Sequence, residues 1–447
     1  MADAPALDPA APARAAPRAP LVAPDLTSPR FKADPHPFYA RLRAEAPVYA
    51  VTVRVPDRRR AWLVTRYDDV AAVLKDARFV KDRRNVRPAG PRGRPARAPW
   101  APGFLKPLQR NMLDLDEPDH ARLRALVHRG FTLRLVARLR GRVQALADRL
   151  LDEAAGAGRL DVVAGYALPI PATVIADLLG VPAGDQHRFH AWTKRIVAAS
   201  TPRDFLLALP SLYRFVRYVR ALIARRRSAP RDDLLTALVQ AEEAGDRLST
   251  DELLGMVVLL LIAGHETTVN LVASGTLALL QHPDQLERLR QDPALLPAAV
   301  EELLRFTSPV ELATERYARE PVEVAGTAIP AGDLVLAVLA SANRDPRRFA
   351  RPDELDLARE PNRHLAFGQG THYCLGAPLA RLEGQIALAT LLRRLPDGGL
   401  AVPPEDLRWR RGLFLRGLEA LPVTLLPPDA ERRARGGLPA VSRPVPE

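Results

Sequence analysis

Apolar positions recur along most of the chain at the three-and-four spacing of amphipathic helices, broken in two regions by strand-like alternation. Phe38-Tyr-Ala-Arg-Leu-Arg43 begins a helix that Pro47 stops. Tyr49, Val51, Val53 and Val55 then alternate with other residues, and Ala61-Trp-Leu-Val-Thr65 follows a Pro56-Asp57 turn, which predicts a β-hairpin. Helices are expected around 70–74, 135–154, 162–179, 186–199 and 212–227, with 202–210 as a connection between two prolines. Ser249-Thr-Asp-Glu252 has the form of a capping box and opens a helix over 253–280 that Pro283 ends. That helix is apolar on most sides, so it belongs at the centre of the molecule. A short helix over 298–306 follows, then short strands within 322–339, turned at Gly326 and at Pro330-Ala-Gly332. The last helix starts near Gly376, with Leu379, Leu382, Ile386, Ala389 and Leu392 forming its buried stripe.

Where the pattern fails is also informative. Residues 1–28 are mostly Ala, Pro and Arg and are expected to be a disordered leader, as are 427–447 at the other end, leaving 29–426 as one domain. Residues 83–100 are rich in Arg, Pro and Gly without periodicity, which predicts a long loop. With 47% hydrophobic residues the chain has ample material for a large core. A single cysteine excludes an intrachain disulfide and fits a reducing cytoplasm. The longest apolar run, 256–263, is far shorter than the ~20 residues of a membrane span, so none is expected. The net charge of +13 points to an acidic partner or to a solvated arginine-rich surface. Its arginines are scattered and aromatics make up only 5%, so nucleic acid is not the expected partner.

Candidate chemistry gathers at three places. Cys374, the lone cysteine, lies among Gly368, Gly370 and Gly376 just before the last helix, where free N–H groups and the helix dipole favour a thiolate. Such a sulfur is a nucleophile or a metal ligand. His120 and Arg124 share a helix face at i and i+4, either as an anion site or as two surface side chains. Ala263-Gly-His-Glu-Thr-Thr268 interrupts the apolar central helix with a glycine and a carboxylate, each unfavourable there unless it serves a purpose. Thr267 can bond back to a carbonyl, and Glu266 can relay protons.

Phe367-Gly-Gln-Gly-Thr-His-Tyr-Cys-Leu-Gly376 closely resembles the haem-binding loop of the cytochrome P450 family. Ala263–Thr268 is similar to that family's oxygen-activation motif, and Glu302-Leu-Leu-Arg305 to its buried Glu-x-x-Arg pair. The resemblance covers roughly 31–425 and implies a mainly α fold with small β-sheets and haem b buried between two central helices. It implies Cys374 as thiolate ligand of the iron, and contacts to haem from Ala263, Gly264, Phe367, Gly368 and Gly376. His120, Arg124, Arg316 and His372 become the expected propionate contacts, and Glu266 and Thr267 the proton donors for dioxygen cleavage. Arg359 is a candidate third member of the Glu302–Arg305 cluster, though Glu354 stands where some members have that arginine.

By resemblance, 83–100 and 181–218 cover the substrate pocket, and Gly412-Leu-Phe-Leu415 is the last substrate-contacting turn. The implied function is a monooxygenase acting on an apolar small molecule. No flavin or iron–sulfur segment exists in the chain, so electrons must come from outside, and a ferredoxin-type donor with its reductase suits the positive charge. A peroxide-driven enzyme and a haem-binding sensor are the alternatives; neither needs both Glu266 and Thr267. A cysteine hydrolase would need a histidine base, a role for which His372 is the nearest candidate in sequence.

Overall fold

The computed structural model describes residues 21–54, 58–86, 111–197, 202–243, 246–395 and 399–426. The leader up to residue 20, most of the 83–100 loop, and the tail from 427 lie outside the described residues. The architecture is mainly helical, with small sheets to one side.

The capping box forms as the sequence requires: Ser249 accepts from the Glu252 N–H, and the Glu252 carboxylate accepts from the Ser249 N–H. The central helix runs Thr250–Gln281, and Pro283 opens the next helix, Pro283–Gln291, instead of closing a loop. By length and composition this central helix alone, among the described residues, is apolar enough to cross a bilayer, yet most of it is buried inside the fold. Its closest companion is the helix Ala377–Leu392. Gly384 makes that approach possible, because a Cβ there would sit 2.8 Å from Leu271 Cδ2. The helices Leu296–Thr307 and Pro169–Leu178 pack on other sides of the central helix. Together these elements form the main hydrophobic core.

The predicted hairpin forms strands β1 (Val48–Arg54) and β2 (Arg58–Val64), paired antiparallel from Val48↔Val64 to Arg54↔Arg58. Strands β3 (Phe79–Val80), β4 (Arg316–Ala318) and β5 (Leu334–Ala337) complete a five-stranded sheet in the order β1-β2-β5-β4-β3. Its two faces fill two smaller cores. Trp62, Val64, Val335 and Ala337 point to one, and Ala61, Leu63, Leu334 and Leu336 to the other, as the period of two demands.

Two expectations need correction. The stretch 202–210 is not a connection but the start of a helix, Pro202–Ser228, with Pro210 inside it. An interior proline costs about 3 kcal/mol. The stripe Ala208, Leu212, Phe215, Val219 and Leu222 is buried along this helix, and each large side chain contributes about 1.5–3 kcal/mol, which outweighs that cost. The fold also begins before residue 29. Leu26 is buried, Leu21 accepts from the Tyr49 hydroxyl, and Ser28 caps the helix Pro29–Ala33.

Candidate active site

The cysteine loop is shaped by its glycines and by its own backbone bonds. Gly368 and Gly370 have φ of 69° and 77°. At Gly370 a Cβ would lie 2.7 Å from the Leu74 carbonyl oxygen, so the loop presses against the end of the helix Tyr67–Lys75. The Cys374 N–H donates to the Phe367 carbonyl at 3.0 Å, and Gly376 takes the N-cap of Ala377–Leu392. Sequence logic favoured a thiolate here. Burial instead pushes the Cys374 thiol up, and the N–H groups of Gly376 and Ala377, with Arg124 and Arg381, oppose it only in part. Desolvation therefore outweighs the helix terminus. A metal cation on the sulfur reverses the balance, since a coordinating thiol is deprotonated outright.

At 262–267 the central helix changes character. Ile262 is 49% exposed and Ala263 is also exposed, in the middle of a mostly buried helix, so neither is covered by a neighbouring element. At Gly264 a Cβ would lie 3.2 Å from Ile175 Cδ1, so its missing side chain also admits the neighbouring helix. The Thr267 hydroxyl donates to the Ala263 carbonyl at 2.8 Å, as expected. Glu266 pairs with Arg410 Nη1 at 3.5 Å. His265 is buried and pushed down to about 4 by desolvation, then by Arg410, which keeps the imidazole neutral.

The four expected anion contacts come together beside the cysteine loop. His120 and His372 stack with ring centroids 4.1 Å apart. His120 is 1% exposed, with Nδ1 at 3.2 Å from Glu117 and Nε2 without a partner. Arg316 is buried with an unpartnered Nε. Burial, then His120, Lys81, Arg316 and Arg124, push His372 down to about 2. Arg124 differs slightly from expectation, since its Nη2 already donates to the Tyr373 carbonyl at 2.7 Å. Buried donors left open are costly unless a ligand meets them. The set fits a group whose acidic substituents meet these donors and whose metal takes the nearby sulfur.

Sequence reasoning missed several residues. Lys81, buried after β3, donates to the Glu315 carbonyl at 2.8 Å and is pushed down to about 7 by burial, then by Arg316. Its one sequence signal is a lysine directly following the buried pair Phe79-Val80. Behind the loop, Glu301 accepts from Arg381 at 2.7 Å and from His364 at 3.1 Å, which hold it down to about 2 although burial opposes them. The Arg381 guanidinium lies 4.6 Å over the Phe367 ring. The Glu302–Arg305 pair, by contrast, is expected from the sequence, and it is fully buried and bidentate at 2.7 and 2.8 Å. Arg359 completes it, with Nε at 3.1 and 3.2 Å from the two Glu302 oxygens, while Glu354 contributes only its carbonyl.

A mostly helical fold whose lone cysteine sits in a glycine loop at the start of the helix packed on the central one is that of a haem-thiolate protein. The family model described as Cytochrome P450 matches residues 58–396. The chain is 49% identical over 396 residues to cytochrome P450 monooxygenase PikC of Streptomyces venezuelae, covering 88% of this chain and 91% of that protein. It is 42% identical over 403 residues to 6-deoxyerythronolide B hydroxylase of Saccharopolyspora erythraea, covering 90% and 98%. The solved structure of the Bacillus subtilis 168 bacillaene polyketide synthase cytochrome P450 PksS matches with a TM-score of 0.82 at 43% identity, over 90% of this chain and 99% of that one. The chain belongs to the cytochrome P450 family. It is a haem b-dependent monooxygenase that inserts one oxygen atom from dioxygen into an organic molecule, with electrons supplied by a redox partner.

Proposed function

We propose that Cys374 is the thiolate ligand of the haem iron and that His120, Arg124, Arg316 and His372 hold the propionates. Ala263, Gly264, Phe367, Gly368 and Gly376 are assigned to the helix and loop segments that enclose the porphyrin. The observation that carries this reading is the set of unpartnered buried donors, His120 Nε2 and Arg316 Nε, beside the cysteine loop. When bound, haem supplies reductive cleavage of dioxygen and transfer of one oxygen atom to the substrate. Glu266 takes protons from solvent, being 27% exposed, and the Thr267 hydroxyl, held by the Ala263 carbonyl, passes them inward. The retention of both groups supports monooxygenation over a peroxide-driven reaction or a sensor.

The test is spectroscopic. Haem-loaded protein with carbon monoxide and reductant is expected to give the red-shifted band of a thiolate adduct, and Cys374→His the band of a histidine-ligated haem. A histidine-type band from the unaltered protein would refute the assignment. Thr267→Ala is expected to divert reducing equivalents to hydrogen peroxide and lower product formation about 10²-fold, as loss of a proton donor does.

The substrate is inferred to be an apolar polyketide-type molecule. The polyketide synthase P450 among the solved structures and the relative named for hydroxylating 6-deoxyerythronolide B support that class. Binding spectra against 6-deoxyerythronolide B, myristic acid and vitamin D3 test it; a response to the latter two alone would refute it. The donor is inferred to be a ferredoxin with its reductase, acting in the cytoplasm. Arg363 and the 39%-exposed Tyr373 lie on the outer side of the cysteine loop, and an acidic donor docking there predicts reduction that slows with salt.

A further inference from the structure

The C-terminal segment after the last helix folds back on itself and onto the central helix. Arg410 N donates to the Gly417 carbonyl at 2.9 Å, Glu419 N donates to the Arg408 carbonyl at 2.8 Å, and Trp409 pairs with Leu418 between them. This hairpin touches the central helix at two places one turn apart. At Gly417 a side chain would collide with the Asn270 carboxamide, so the glycine lets that side chain of the central helix lie directly against the hairpin backbone. Four residues earlier on the same helix face, Arg410 Nη1 reaches Glu266 Oε1 at 3.5 Å. The buried His265 also feels the Arg410 charge, which places the guanidinium over this stretch of helix by a second observation. The tip of the hairpin is fixed separately: its Phe414 carbonyl accepts from the N–H groups of Glu311 and Leu312, and Leu415 pairs with Val310.

We propose that Arg410 is a positioning residue for Glu266, so that proton supply depends on how the C-terminal hairpin is seated against the central helix. The inference rests on the assignment of Glu266 as proton donor. The contact is suited to orienting without locking. At 3.5 Å, with Arg410 34% and Glu266 27% exposed, it is looser than the doubly bonded Glu301–Arg381 pair at 2.7 Å. The carboxyl therefore stays at the solvent edge of the helix, where it takes a proton from water. It can leave Arg410 to give that proton inward, and returns to its starting form when water reloads it. One proton enters from solvent for each proton delivered. Residues 412–415, at the tip of the same hairpin, form the turn expected to touch substrate, so substrate and proton donor are read by one element.

The test uses the haem-loaded protein with a ferredoxin and its reductase, and compares Arg410→Gln, Arg410→Lys, Glu266→Gln and the double variant Arg410→Gln/Glu266→Gln. Amide hydrogen exchange over 262–270 and 408–419 is expected to rise about threefold in Arg410→Gln, with 377–392 unchanged. The share of reducing equivalents released as hydrogen peroxide, and the solvent deuterium isotope effect on reductant consumption, are each expected to rise about twofold. Lysine at 410 is expected to restore both, and the double variant to match Glu266→Gln alone. Wild-type exchange and peroxide release in Arg410→Gln, or additive effects in the double variant, would overturn the inference. If Glu266→Gln itself behaves as the unaltered protein, the proton-donor assignment fails and the role of Arg410 with it. An impaired Glu266→Gln beside an unaffected Arg410→Gln removes the role of Arg410 alone.

Discussion

Glu302→Ala is the sharpest perturbation of the scaffold. The Glu302 carboxylate accepts from Arg305, Arg359, Asn362 and the Asp356 N–H, and neither it nor Arg305 has any exposed surface. Removing it leaves the Arg305 guanidinium buried with three carbonyl partners, of Asn343, Pro352 and Glu354, and no counter-charge. Breaking a buried pair from one side costs about 3–5 kcal/mol. That is a large share of the roughly 5–15 kcal/mol by which a native domain is stable. With an unfolding entropy of about 2.1 cal/mol/K per residue, the 447-residue chain would melt roughly 3–5 °C lower. The loss falls where residues 352–364 run behind the cysteine loop, so haem retention should fall along with stability. The assay is haem per polypeptide after expression with haem supply, together with the thermal midpoint. Full haem content and an unchanged midpoint would show that the pair is ornamental and refute the reasoning.

Glu383 is fully buried, and desolvation pushes its carboxyl up to about 8 against a Thr268 hydrogen bond. Its folded pKa exceeds the unfolded one, so its contribution is complete below about pH 4.5 and is lost as pH rises towards 8. Glu383→Gln is therefore expected to match the unaltered protein at pH 5 and to melt higher at pH 8; parallel pH profiles would contradict this. Gly384→Val forces atoms into Leu271 where the two core helices meet and is expected to cost about 1–3 kcal/mol, measured by urea unfolding.

Much of this molecule is legible from its residues, for physical reasons that differ by place. The capping box, the β1–β2 hairpin and the start of the last helix follow from local rules, and the structure keeps all three. The cysteine loop is legible because glycines at 368 and 370 are required by positive φ. Pro210 misleads because a buried stripe elsewhere on its helix overrides a local penalty. At Gly264 the sequence cannot say which neighbour lies against the missing side chain, here Ile175. Lys81, Arg381 and Arg410 stay hidden because their roles come from partners far away in the chain, Glu315, Glu301 and Glu266, which carry no shared spacing.

One such long-range set lies at the N-terminal edge. Lys32 donates to Glu311 at 2.8 Å with both groups fully buried, Tyr39 bonds the same carboxylate, and Arg416 holds the Lys32 carbonyl. These partners are separated by 279, 272 and 384 residues. At a ribosomal rate of about 5–20 residues per second, the lysine waits roughly 20–80 s between its own synthesis and the arrival of Arg416. The contacts that hold the earliest helices are thus completed only once the segment carrying Arg416 has been made.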